Sequence, residues 1–444
     1  MPFFVRSVVA TRQGAARPPT MAAFRTCVLK PYKKIAVPSF KVTDEIIAYT
    51  SPDSTYAVTK RLLDGAKKSI QIGIYDFTAG HMKTMLLNAL GRGVKVTLML
   101  DVEPVGGEDR LFRELIDMGV EGVLAPACTS TKARYFSSCH EKFVVIDGVW
   151  TLVQSGNYSN NSIPLNERDG GDPDRFVRGN RDTGLAVKSA AMAKFFTTVL
   201  RSDIALELNA PQPARAPQPQ RGAEGLVWVE AAPALIPRKL FPSKTFKPTA
   251  PLTIQPVLSP DNYMDVIPTV LKAARKSILI EQQYIRGSQE KVAVLLSAIR
   301  SAIQANPRLD VRIVLGKVFG TQAVADEQQN LKVLKDQYGL ALGKNIRYID
   351  TKRFVHCHNK MVIVDGATVL VSSQNWSDSA VSKNREAGLL LTHKGIATYF
   401  TDIFENDWAT AITKLADPAP ASIHPAALRS GGFIQVTPAD YREV

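Results

Sequence analysis

What the 444-residue sequence has little of narrows the field first. There are four cysteines, Cys27, Cys128, Cys139 and Cys357. No spacing among them suggests a zinc site or a disulfide framework, and Cys139 and Cys357 read as small core residues. No run of about 18 apolar residues occurs, so no transmembrane helix is expected and the chain reads as soluble. Residues 1–43 contain eight Lys or Arg and no Asp or Glu, with Pro18, Pro19, Pro31 and Pro38 among them. Met1 to Ala10 holds only a short apolar patch interrupted by Arg6, which is no convincing secretory signal. This stretch reads as a basic disordered leader, with Met21 as an alternative start, rather than a transit-like or membrane-touching arm.

The rest of the composition is that of a globular protein: 45% hydrophobic and 22% charged residues are enough for a sizeable core in two or three domains. The formal net charge of +14 favours anionic partners, an acidic phospholipid surface or nucleic acid, without choosing between them.

One stretch occurs twice. Cys139-His140-Glu141-Lys142 leads through four apolar residues to Asp147-Gly148, and Cys357-His358-Asn359-Lys360 leads likewise to Asp365-Gly366. Ten residues after each Asp stands an Asn, Asn157 and Asn375, flanked by Ser155 and Ser159 or by Ser373 and Ser377. Asn180-Arg181-Asp182 and Asn384-Arg385-Glu386 follow, each opening an apolar run. On a strand, His140 and Lys142 share a face and Glu141 points the other way. Alternation turns Cys139 and Cys357 from the site. The run Phe143 to Ile146 is apolar on both faces, which suits a central, doubly covered strand. Asp147-Gly148 reads as a turn, and Asn157 follows a second strand, Trp150 to Gln154. Two such halves facing each other would offer two imidazoles, two ammonium groups and two amides to one anionic centre.

The repeat extends beyond the motif. Ser51-Pro52-Asp53 and Ser259-Pro260-Asp261 each open a helix, and strand, helix and strand follow in both halves. Phe195, Phe196, Leu200 and Asp203 resemble Tyr399, Phe400, Phe404 and Asp407 on a closing helix. The expected class is α/β: two similar α-β-α sandwich halves with mixed, largely parallel sheets, related by a pseudo-twofold. The expected divisions are a leader over 1–43, a first half over 44–208, a Pro-rich linker over 209–250, a second half over 251–416 and an irregular tail over 417–444. The run Pro211 to Gln220 should be exposed.

The duplicated His-x-Lys-x4-Asp pattern resembles the signature of the phospholipase D superfamily, from about Ile46 to Ile412. The resemblance implies phosphodiester cleavage or phosphatidyl transfer through a phosphohistidine, with no metal and no cofactor. It implies His140 as nucleophile and His358 as general acid, then base for water. Lys142, Lys360, Asn157 and Asn375 would hold the phosphoryl oxygens, with Ser155 and Ser373 lining the site. Asp182 and Glu386 would orient the imidazoles. Asp147 and Asp365 complete the motif and count among its catalytic residues, although structural partners is the more natural reading of their place. Asp182 stands 25 positions after Asn157, whereas Glu386 stands 11 after Asn375. The extra loop, Asn166 to Arg175, is a candidate gate.

Glu281-Gln282-Gln283-Tyr284-Ile285 resembles a strand of lipid-cleaving members. The leading expectation is therefore a phospholipase D acting on phosphatidylcholine-like lipids, giving phosphatidate and a free head group. A metal-independent nuclease, a cardiolipin-synthase-like transferase and a silent anion-binding protein are the alternatives. With both half-sites in one chain, a monomer without an obligate protein partner is expected, at a phospholipid surface or on nucleic acid. Members of the superfamily are often secreted, and the sequence leaves export or cytoplasmic residence open.

Overall fold

The computed structural model describes residues 27–102, 108–211, 228–231, 236–318, 321–415 and 433–436. In chain order the first part contains β1 (Phe40–Val42), β2 (Ile46–Ser51), α1 (Thr55–Asp64), β3 (Ser69–Ile74), α2 (Gly80–Gly91), β4 (Lys95–Leu100), α3 (Glu108–Asp117), β5 (Glu121–Leu124), β6 (Lys142–Ile146), β7 (Trp150–Gln154), β8 (Asp182–Lys188) and α4 (Ala190–Leu208). After β9 (Trp228–Ala231) come β10 (Lys244–Phe246), β11 (Leu252–Ser259), α5 (Tyr263–Lys272), β12 (Ser277–Gln282), α6 (Glu290–Ala305), β13 (Asp310–Leu315), α7 (Thr321–Tyr338) and β14 (Ile346–Tyr348). The chain continues through β15 (Lys360–Val364), β16 (Thr368–Ser372), α8 (Asp378–Ser382), β17 (Glu386–Thr392), α9 (Lys394–Thr410) and β18 (Phe433–Val436).

Two eight-stranded sheets carry the same topology. The first has the order β10-β2-β8-β7-β6-β3-β4-β5, and the second β1-β11-β17-β16-β15-β12-β13-β14. The fold is α/β in two repeated halves, as expected, but the sheets are not largely parallel. Only β3-β4-β5 and β12-β13-β14 pair in parallel; every other neighbour is antiparallel. The reason lies in the connections. Helices α2 and α6 cross over between parallel strands, whereas short turns at Asp147-Gly148 and Asp365-Gly366 reverse the chain and force antiparallel hairpins.

The motif strands sit at the centre, buried from both faces. Along β6, Phe143 and Val145 enter a core shared by the two halves, while Val144 and Ile146 enter the first half's own core. Along β15, Met361 and Ile363 join the shared core, and Val362 and Val364 the second half's own. Each such side chain contributes about 1.5–3 kcal/mol by burial, so a one-residue slip in register is strongly disfavoured. Helices α4 and α9 bring Phe196, Leu200, Phe400 and Phe404 into the shared core.

Ser51-Pro52-Asp53 does not cap a helix. Ser51 ends β2, Ser54 is the N-cap of α1, and the buried Asp53 carboxylate instead receives Arg238 and the Phe241 amide. Asp261 likewise receives Arg385 and the Ile35 amide.

The expected leader and linker are corrected where they are described. Residues 1–26 lie outside the described residues, but from Cys27 on the segment is part of the fold. Cys27 is disulfide-bonded to Cys128 across 101 positions, which no spacing pattern could have announced. The Lys30 amide donates to Arg134 O at 2.7 Å, and β1 pairs with β11 of the second sheet. Most of Pro211 to Gln220 lies outside the described residues, as do 221–227 and 232–235. From Ile236 the chain returns, and β10 pairs with β2 of the first sheet. Each sheet thus takes an edge strand from the other side of the repeat. In the tail, β18 pairs with β9, and 416–432 and 437–444 lie outside the described residues. Among the described residues no helix is long and apolar enough to cross a membrane.

Candidate active site

The two motifs meet at the same edge of both sheets, where β3 and β4, or β12 and β13, present their C-terminal ends. Each Lys opens its strand: Lys142 pairs with Ile74 and Lys360 with Gln282. Its ammonium turns back onto the carbonyl of its own motif histidine, Lys142 Nζ to His140 O and Lys360 Nζ to His358 O, both at 2.5 Å. Tyr75 adds an aromatic wall: its ring lies 4.8 Å from that of His140, and Lys142 Nζ sits 5.3 Å from its centroid. In the second half the same position is Gln283, whose Oε1 accepts from Lys360 Nζ at 3.3 Å.

The acids act crosswise. His140 Nδ1 lies 2.9 Å from Glu386 Oε2, and His358 Nδ1 lies 2.9 Å from Asp182 Oδ1. Each half therefore orients the imidazole of the other. Ser373 Oγ donates to Glu386 at 2.5 Å and Ser155 Oγ to Asp182 at 2.7 Å, which fixes both carboxylates. The backbone repeats this exchange: His140 N donates to Arg385 O and His358 N to Arg181 O. The neighbouring arginines also cross over. Arg181 forks onto Asp407 of α9, and Arg385 forks onto Asp203 of α4. With both Nδ1 atoms engaged, Nε2 is the ring nitrogen left for chemistry. His358 Nε2, both side-chain atoms of Asn157 and both of Asn375 are buried without a protein partner. Buried polar groups of this kind are costly unless something answers them, and a tetrahedral oxyanion would.

Burial and like charge set the protonation states. Burial first, then Lys142, Lys360 and His358, hold His140 well below the ordinary imidazole range. Burial and Lys360 lower His358 against the pull of Asp182. Burial would raise Asp182, but His358 and Lys360 outweigh it and keep the carboxyl low. Burial brings Lys142 down to about 7 and pushes Glu386 up to about 7 against the pull of Lys142. The shifts of His140 and His358 both favour the neutral imidazole, which carries a lone pair on Nε2.

Asp147 and Asp365 are not among these residues. They stand at the far ends of β6 and β15, on turns with φ of 54° and 56°. Asp147 accepts the amides of Lys67, Lys68 and Ser69 at 2.7–2.9 Å. Asp365 accepts those of Arg275, Lys276 and Ser277. Both tie the strand hairpin to the loop before β3 or β12, so their place is structural. Cys139 and Cys357 face the shared core, as alternation implied. The extra loop before Asp182 is pinned: Asn166 Nδ2 donates to Pro52 O at 3.0 Å, and Asp169 accepts the Ser243 amide at 2.7 Å.

The sequence did not single out Tyr75 or His356, and it marked Glu281 only as part of a strand resembling that of lipid-cleaving members. Glu281 is buried behind the site, where it accepts from Asn359 Nδ2 at 2.8 Å; Asn359 Oδ1 in turn accepts from Thr183 of the first half. His356 is buried two residues before His358, so the alternation that linked His140 to Lys142 could have singled it out.

The sequence matches the family described as "Cardiolipin synthase, PLD-like domain" over residues 59–203 and 267–408, one match for each half. No curated protein matches. Among solved structures, the phosphatidylserine synthase of Haemophilus influenzae Rd KW20 is similar at 14% identity, covering 85% of this chain and 89% of that one, with a TM-score of 0.57. The phospholipase D family member Nuc from Salmonella typhimurium is 20% identical over 36% of this chain and 92% of its own, with a TM-score of 0.29.

Proposed function

The chain belongs to this PLD-like family, and from that premise we propose that it cleaves a phospholipid phosphodiester through a phosphohistidine, passing the phosphatidyl group to water or to an alcohol. The crosswise pairing of His140 with Glu386 and of His358 with Asp182 carries the reading, because it sets two imidazoles to one task. His140 Nε2 attacks phosphorus. Lys142, Lys360 and the amides of Asn157 and Asn375 hold the equatorial oxygens, and positioning plus fixed charge supply most of the stabilisation. A phosphodiester monoanion between the two lysines offsets their field and returns His358 toward protonation, so that it can give its proton to the leaving oxygen. Water or an alcohol then gives its proton to neutral His358 and displaces the imidazole.

Hydrolysis of phosphatidylcholine-like lipids and phosphatidyl transfer are two outcomes of this one intermediate. The match to the cardiolipin synthase family favours transfer, and the net charge of +14 suits an anionic bilayer. Both half-sites lie in one chain, which supports action as a monomer, and the Cys27–Cys128 bond supports work in an oxidising compartment.

The test is incubation with mixed phospholipid vesicles and, separately, with plasmid DNA, both in excess chelator. Head-group release or exchange from vesicles that is lost in His358→Ala supports the proposal. Cleavage of DNA alone would make the protein a nuclease, and tight phosphate binding without turnover a silent relative.

A further inference from the structure

Two straps cross between the halves, and they differ at one position. Residues 27–42 lead into β1 on the second sheet, and residues 236–246 lead into β10 on the first. Each strap offers one amide to a buried acid, Ile35 N to Asp261 and Phe241 N to Asp53. Three residues before that amide the first strap carries Tyr32 and the second Arg238. Arg238 pairs with Asp53. Tyr32 instead meets an arginine: its Oη accepts from Arg385 Nη2 at 2.6 Å and donates to Asp261 Oδ1 at 3.2 Å. Burial pushes the phenol up to about 12 against the pull of Arg385, so at neutral pH it keeps the proton it donates.

That phenol completes the surroundings of Arg385. Nε and Nη2 donate to Asp203, Nη1 donates to Asp261 and to Ser259 O, and the second N–H of Nη2 goes to Tyr32, so all five N–H groups are answered. The guanidinium lies 4.4 Å from the centroid of the Phe136 ring, which packs on Tyr32 at 4.8 Å. The strap is fastened at its start to the loop that carries Phe136: Cys27 is bonded to Cys128, and Lys30 N donates to Arg134 O at 2.7 Å. From Phe136 the chain leads straight to the site. Ser137 N donates to Lys383 O, Arg385 N to Ser138 O and His140 N to Arg385 O, all at 2.8–3.0 Å. Residues 137–140 and 383–386 thus form one short ladder, and at its end His140 Nδ1 faces Glu386.

Resting on the phosphohistidine reading above, we infer that Tyr32 is a positioning residue for His140, acting through Arg385. Without the hydroxyl, one buried N–H of the guanidinium loses its acceptor, and the side chain relaxes at the expense of its other bonds. Arg385 O holds the His140 amide and the next residue is Glu386, so a shift of this arginine reaches both the ring and the carboxylate that orients it. Attack on phosphorus depends steeply on the placement of Nε2. The assignment belongs to one half: on the His358 side the corresponding place in the strap is Arg238, which takes Asp53 for itself.

The test is single-turnover cleavage, with enzyme in saturating excess over bis(4-nitrophenyl) phosphate and, separately, over diphenyl phosphate. The first leaving group departs without a proton and the second needs one. A defect in attack therefore slows both donors, and a defect in proton donation slows mainly the second. Absence of nitrophenolate release, or its persistence in His140→Ala, would overturn the phosphohistidine reading itself. Given that release, Tyr32→Phe keeps the ring on Phe136 and removes only the hydroxyl. We expect its rate constant to fall roughly 10- to 100-fold with both donors, with substrate affinity near the wild-type value. Loss of folded molecules alone leaves the rate constant at saturation unchanged, so a rate constant equal to that of the wild type would overturn the inference. A fall confined to diphenyl phosphate would overturn it too, because it would put the phenol behind the proton donor His358.

Discussion

His140 and Glu386 stand 246 positions apart in the chain, yet the imidazole Nδ1 of one lies 2.9 Å from the carboxylate of the other. The mirror pair, His358 and Asp182, does the same from the opposite direction. Each histidine takes its carboxylate partner from the other half, so the candidate site needs both.

Replacing Glu386 with Gln should therefore act through His140. We expect kcat to fall about 10²- to 10⁴-fold, the range typical of disturbed acid–base groups, with little change in KM. Glu386 is pushed up to about 7, so its ionisation contributes near neutrality. The pH–rate profile of the Gln variant should lose an inflection near that value, and an unchanged profile would assign Glu386 a purely structural part.

Asp147→Asn separates motif membership from chemistry. Asparagine tolerates the left-handed backbone at this position, so only the charge is removed. Three amide bonds weaken, and urea unfolding should show a loss of about 1–2 kcal/mol. Turnover per folded molecule should remain at the wild-type level. A large fall in kcat at unchanged stability would return Asp147 to the active site.

Glu281 gives a pH signature in stability. Burial pushes its carboxyl from 4.5 up to about 8. The folded state then holds a proton that the unfolded chain has released, so the contribution is complete below about 4.5 and is lost as pH rises through about 8. Unfolding free energy should decline over that window by roughly 1 kcal/mol or more. Glu281→Gln keeps an acceptor for Asn359 and should flatten the decline; equal slopes for both proteins would refute the assignment.

Reduction of Cys27–Cys128 should destabilise the fold. The bond closes a loop of 101 positions, for which chain entropy gives about 4–5 kcal/mol and strain usually reduces the gain. Thermal unfolding with and without dithiothreitol, repeated on Cys128→Ser, checks this. The variant should match the reduced protein and no longer respond to the reductant.

The legible parts of this structure were those written in local periodicity. The period-two faces of Phe143 to Ile146 mark the central strands, and the recurrence of the motif and of Ser-Pro-Asp marks the repeat. What escaped depends on contacts between distant segments. The Cys27–Cys128 bond, the exchange of β1 and β10, and the crossing of Arg181 to Asp407 leave no trace in spacing. Strand-helix-strand order points to parallel pairing, but it governs only β3-β4-β5 and β12-β13-β14, and the short turns make the other pairs antiparallel. Asp147 shows a further limit: a residue can recur with a motif because the hairpin needs its backbone contacts.

The swapped edge strands bear on how such a molecule can be inherited. Were the gene severed at the connection between the repeats, the amino-terminal product would carry β1, which serves only the other product's sheet. The carboxy-terminal product would carry β10, equally misplaced. Each separated product would therefore present a sheet short of one edge strand, with the missing strand carried by the other.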